Sequence, residues 1–149
     1  MMSFVMMLCT AVVGGVILNG LAVWLDSKFL SDFLKDNLIL LLSALMAINT
    51  TTMSVVMSKL KEIQDKHVES DFSASLKEMR ASIYEQIFLI LIALVIQIIM
   101  GSGKAASWGD KVNFGLESGS AAIFIYAMII LYDTAKSTFV ILGHDNKSK

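Results

Sequence analysis

The chain has 149 residues, of which 56% are hydrophobic and only 17% charged, with a formal net charge of −1. Soluble domains average about a quarter charged residues, so this composition excludes an ordinary soluble fold. The near-neutral balance offers no basic stripe for direct nucleic-acid binding. The single cysteine, Cys9, rules out an intramolecular disulfide and any chemistry that needs a cysteine pair.

The charges collect in short stretches and leave four apolar runs, near residues 4–25, 37–57, 83–100 and 119–142. A hydrocarbon core of about 30 Å needs roughly 20 helical residues, the length of each run. Leu38–Leu42 and Ile87–Ile96 are apolar all round, where a soluble bundle would show polar faces at helical period. The expected fold is all-α: an integral membrane four-helix bundle, residues 1–149 forming a single membrane domain.

In the first run, Met1-Met2-Ser3 lacks the basic residues of a signal peptide, and no clear cleavage site precedes Asp26. A retained helix is expected. Cys9 is read as a small buried apolar residue. Ala11, Gly15 and Asn19, spaced by four, form a packing face of small residues with one amide. In residues 26–36, Phe29, Leu30, Phe33 and Leu34 alternate with charges. That pattern fits either a short amphipathic helix lying in the interface or a helical extension packed on its neighbours.

The second run carries the strongest polar signal. Ser43, Ala47, Thr50, Thr51, Ser54 and Ser58 recur every three or four residues, beside Asn49, and lead to Lys61. Hydroxyls on one face can line an ion path; small residues on one face also allow close helix packing, with hydroxyls bonded back to the i−4 carbonyl.

Residues 58–82 are expected to continue the second and third helices beyond the bilayer as an antiparallel hairpin. Leu60 and Ile63 extend the stripe from Val56, and Phe72, Leu76, Met79 and Ile83 form a second one after a polar turn at Glu69-Ser70-Asp71. Ser75 and Glu78 have capping-box spacing. Lys59, Lys61, Lys77 and Arg80 are its candidate partner-binding residues.

In the third run Gln97, with Ala93 and Gln86, marks a weaker polar face suited to an interhelical hydrogen bond. Residues 101–118, with Gly101, Gly103, Gly109 and Gly115, read as an irregular loop carrying Trp108 at headgroup depth. Gly101-Ser102-Gly103-Lys104 lacks the spacing of a phosphate loop. In the fourth run Asp133 and Lys136 can pair at i, i+3, one heptad below Tyr126. A span starting at Gly119 would put Asp133 in the hydrocarbon core, and one starting near Gly115 would put it at the interface with Lys136 snorkelling. His67 and His144 have no neighbouring ligands, so no metal or other cofactor is expected.

Lys and Arg fix the expected orientation. Five lie between the second and third runs, two in each of the other connections, and three from Lys136 onward. This places the hairpin and both termini in the cytoplasm, in a bacterial inner membrane.

Enzyme is the least supported class. The first helix lacks the carboxylate of a small multidrug exporter, and the cysteine pair of a four-helix oxidoreductase is missing. Two expectations remain. One is a homo-oligomer conducting ions along Asn49, Thr50, Thr51, Ser54, Ser58, Gln97, Asp133 and Lys136. The other is a membrane-embedded scaffold that recruits a soluble cytoplasmic protein through the hairpin. The layout as a whole resembles that of small phage-exclusion and phage-defence membrane proteins, with no motif carrying the resemblance. It implies membrane depolarisation or anchoring of a cytoplasmic sensor; holins share the size.

Overall fold

The computed structural model describes residues 4–66, 73–102 and 108–145. These form four α-helices: α1 (Phe4–Trp24), α2 (Phe29–Lys66), α3 (Ser73–Gly101) and α4 (Asp110–Asp145). Each contains a segment long and apolar enough to cross a membrane: Phe4–Trp24, Phe29–Glu62, Met79–Gly101 and Asp110–Lys136. At 1.5 Å per residue α1 is about 31 Å long, one hydrocarbon thickness. By the same measure α2 reaches about 57 Å and α4 about 54 Å, well beyond a single crossing.

α4 is the hub. It packs against all three other helices, whereas α1 lies almost entirely on α4 and touches α2 only lightly. The reason is in α1 itself. Its buried positions are Met7, Ala11, Gly15 and Asn19, one line of residues spaced by four, and its large apolar side chains outside that line are exposed. A Cβ on Gly15 would come within 2.6 Å of the Ser118 carbonyl oxygen, so only glycine lets the two backbones meet there. Asn19 then donates from Nδ2 to the Phe114 carbonyl (3.1 Å) and to Ser118 Oγ (3.0 Å). The small-residue face expected in the first run is thus an α1–α4 seam. Cys9 departs from expectation: it is exposed on the outer side of α1, because it is two positions off that seam.

α2 buries Leu34, Leu38, Leu42, Asn49, Met53, Val56 and Leu60, a near-heptad series that keeps one face on α3 and α4. Leu34, Leu38 and Leu42 join Ala93, Ala121, Ile123 and Ala127 in the main core. A second cluster, Met7, Ala11, Tyr126 and Ile130, seats α1 on α4.

Two connections are tighter than the sequence suggested. Residues 29–36 are the first turns of α2, with Leu34 buried and Phe29 stacked on Phe33, so of the two readings the packed extension is the one observed. The chain turns into it at Asp26, which has a positive φ of 51°. The expected loop over 101–118 is helical from Asp110 onward. Gly109, at φ +85°, supplies the turn before that helix, and Asp110 lies in its first turn, where a carboxylate favours the helix dipole. Glycine content misled there, because packing on α1 and α3 outweighs the roughly 1 kcal/mol by which a helical glycine such as Gly115 is disfavoured.

α2 ends at Lys66 and α3 begins at Ser73, which gives the expected hairpin its two arms. Its polar turn, His67 and Phe72 lie outside the described residues.

Candidate functional site

Interhelical contacts fix how the helices stand against one another. Asn49 Nδ2 donates to Ser82 Oγ (3.3 Å) near the hairpin end, and Gln97 Nε2 donates to the Leu34 carbonyl (3.1 Å) near the other. The spacing between the two contacts is the same on both helices, so one antiparallel register runs the length of the α2–α3 pair. On α4, Tyr126 stands beside Glu85 of α3 and packs edge-on against Phe4 of α1, with ring centroids 6.2 Å apart. Asn49, the turn Ser82–Gln86, Tyr126 and Phe4 therefore share one level.

This level divides the molecule. Away from the hairpin, the helices run 16 to 20 residues to their ends at Trp24, Phe29, Gly101 and Asp110, about 24 to 30 Å. Toward the hairpin α1 contributes nothing beyond Phe4 among the described residues, while α2, α3 and α4 continue to Lys66, Ser73 and Asp145. That continuation has its own buried residues on α2: Met53, Val56 and Leu60.

The polar residues at the dividing level are buried and incompletely paired. Asn49 is fully buried with Oδ1 lacking a hydrogen-bond partner. Gln86 is 3% exposed, and neither its Oε1 nor its Nε2 has a partner. Tyr126 is 4% exposed, and its hydroxyl is set beside the Glu85 carboxylate. Buried polar atoms are paired in the great majority of cases, and an unmet one costs about 1–3 kcal/mol. Two such side chains, at one level with the Tyr126–Glu85 pair, mark the strongest candidate site among the described residues.

The residues singled out from sequence do not gather at one place. Asn49 faces the core, whereas Thr50, Thr51, Ser54 and Ser58 are exposed on the opposite side of α2. Their hydroxyls donate to carbonyls one turn back: Thr50 to Met46, Thr51 to Ala47, Ser54 to Thr50 and Ser58 to Ser54, all at 2.8–3.0 Å. Within one chain, then, the stripe is neither a packing seam nor part of the buried polar layer. The α2–α3 register sets Thr51 level with Arg80 and Ser54 level with Lys77, both exposed. Gln97 acts as an interhelical tie near the far end. Asp133 is half-buried two turns beyond Tyr126 toward the hairpin end, and Lys136 is exposed. Asn49 spends its amide donor on Ser82 rather than on a carboxylate of α4. Lys59 pairs with Glu62 at 2.8 Å on the surface, and Lys61 is exposed.

Sequence reading missed Tyr126 and Gln86 as partners of Asn49's layer and passed over Glu85. Glu85-Gln86, polar residues at the very start of the third apolar run, was the available signal. A second polar feature lies at the far end, where a shallow cleft between α1 and α4 is lined by Val23, Asp110, Lys111, Asn113, Phe114 and Glu117.

No protein-family model matches the chain, and no curated protein or solved structure is significantly similar to it.

Proposed function

We propose that the chain is a membrane-embedded platform that holds the α2–α3–α4 extension at the cytoplasmic surface, where it recruits a soluble protein. The observation that carries this reading is the one-sided continuation of three helices past the Asn49–Ser82–Tyr126 level. If the bilayer boundary were moved further toward the hairpin, Arg80 and Lys77 would enter hydrocarbon, at roughly 2.5–3.5 kcal/mol for each basic residue at mid-depth. With the boundary at that level, the exposed tyrosines Tyr84 and Tyr132 lie near one membrane surface and the exposed Trp24 and Trp108 near the other. This is the aromatic distribution expected of interfaces. The exposed Thr50–Ser58 hydroxyls then form the hydrated face of an amphipathic helix whose other face is Met53, Val56 and Leu60. Asp133 takes the interfacial of its two expected depths, and Lys59, Lys61, Lys77 and Arg80 are presented to water.

The test is recruitment from the native host. Affinity capture of the full chain from detergent-solubilised membranes should return one stoichiometric soluble protein, lost when Lys59, Lys61 and Lys77 are changed to Glu. Equal capture by both forms overturns the assignment of these lysines.

An ion path through a homo-oligomer is the second reading. The outward hydroxyl stripe favours it, since Ser43, Ala47, Thr51, Ser54 and Ser58 are all exposed on the single chain and open to a second copy. Prompt depolarisation of cells expressing the chain alone, weakened by Asp133→Asn at equal membrane levels, would move support to this reading. A role in phage defence would be compatible with either mechanism, and survival of phage-challenged cultures with and without the chain tests it.

A further inference from the structure

We propose that the polar layer of Asn49, Ser82, Glu85, Gln86 and Tyr126 is a binding site for a dehydrated monovalent alkali cation. Three observations converge. First, the layer is rich in oxygen acceptors: Asn49 Oδ1 and Gln86 Oε1 are both buried without partners, and the Tyr126 hydroxyl, which can turn its proton toward the Glu85 carboxylate, keeps oxygen lone pairs to offer. Second, Glu85 sits beside Tyr126 as the one carboxylate of the layer, half-buried, and among the described residues no lysine or arginine forms an ion pair with it. Third, the acceptors come from three helices, with Asn49 on α2, Glu85 and Gln86 on α3 and Tyr126 on α4. A cation held among them would tie the helices together where the α1-covered part of the molecule gives way to the three-helix extension.

The charge of the layer selects the ligand. Calcium and magnesium sites use hard oxygen ligands with several carboxylates to balance two charges. One carboxylate with neutral amide, hydroxyl and phenol oxygens balances a single positive charge. Zinc and softer metals call for imidazole or thiolate, and the layer holds neither. An apolar-packing role explains the layer poorly, because a half-satisfied polar network is less favourable than leucine or methionine in the same space.

The experiment uses the full chain in lipid nanodiscs, with thermal unfolding followed in chloride solutions of sodium, potassium, calcium and N-methylglucamine at constant ionic strength. A ligand that binds only the folded state raises the unfolding midpoint in a saturable way. Sodium or potassium is expected to raise it relative to N-methylglucamine. Gln86→Met, Asn49→Leu and Tyr126→Phe, each removing one oxygen, are expected to weaken the apparent affinity at least about tenfold, equivalent to roughly 1.4 kcal/mol of lost contact. Methionine, leucine and phenylalanine suit buried helical positions, so these variants should still unfold cooperatively. Three outcomes overturn the proposal: no alkali-specific shift in the wild type, an identical shift in all three variants, or a shift with calcium alone. The wild-type comparison decides the matter even if a variant fails to fold.

Discussion

Single side chains here separate into those that fix backbones together and those that only cover a surface. Gly15 belongs to the first kind. Its α-carbon faces the backbone of Ser118 and Ala122 at distances no Cβ tolerates. Gly15→Val is therefore expected to destabilise the α1–α4 seam by about 1–3 kcal/mol, the usual cost of forced overpacking. Gly20, on the next turn of the same helix, has open space where a Cβ would stand, with no atom within 4 Å. Gly20→Ala should stabilise the helix by about 0.5–1 kcal/mol through lost chain entropy. Thermal unfolding of the two variants in one detergent checks the pair, and equal effects would refute the seam. The hydroxyls of Thr50, Thr51, Ser54 and Ser58 on α2 are of the second kind. Each is already bonded within its own helix and exposed, so Thr51→Val with Ser54→Ala should change stability by no more than about 0.5 kcal/mol. A larger loss would mean that a second copy packs on that face.

At the scale of the helix, what the sequence reveals depends on whether neighbours overrule the local signal. The α1 seam was legible because Ala11, Gly15 and Asn19 repeat at helical spacing, and Asn19 is the one amide in an otherwise apolar run apart from Thr10. The arms of the hairpin were legible too, since Leu60 extends an apolar stripe among lysines. The start of α4 was not, because glycine at 101, 103, 109 and 115 signals a loop locally, while α4 begins at Asp110 to meet α1 and α3. The orientation of the α2 stripe was also hidden. Period shows which residues share a face and leaves open whether that face meets a neighbouring helix, lipid or water. Packing decides it by burying Asn49 and turning Thr51, Ser54 and Ser58 outward. Cysteine scanning follows from this, in a Cys9→Ala background. Ser54→Cys and Ser58→Cys should react readily with a membrane-impermeant maleimide in inside-out vesicles, whereas Leu40→Cys, 69% exposed yet far on the other side of the Asn49 level, should not. Reaction at Leu40 as fast as at Ser58 would place water where the apolar segment lies.

For the molecule as a whole, depth was the quantity least accessible to sequence, because each apolar run was placed by its own length. The runs near 37–57 and 83–100, centred separately, leave Asn49 and Ser82 at different depths, yet the two are in contact. Contacts between helices supply the missing constraint, and α3 carries the decisive charges. Orientation rests on a different quantity. Residues 58–82 hold five basic side chains (Lys59, Lys61, Lys66, Lys77, Arg80) and five acidic ones (Glu62, Asp65, Glu69, Asp71, Glu78). Their net charge is zero, but insertion responds to lysine and arginine and little to acids. Changing Lys77 and Arg80 to Glu leaves three basic residues there, still more than the two in either of the other connections. Membrane orientation should therefore persist, with Ser58→Cys in the Cys9→Ala background labelled from the same side, while any partner that reads the charge pattern of the extension is lost. Changing all five basic residues should instead invert or scramble the orientation. If the double variant already inverts, Lys77 and Arg80 serve insertion rather than recognition, and the surface offered to a partner must be sought on Lys59, Lys61 and the end of α4.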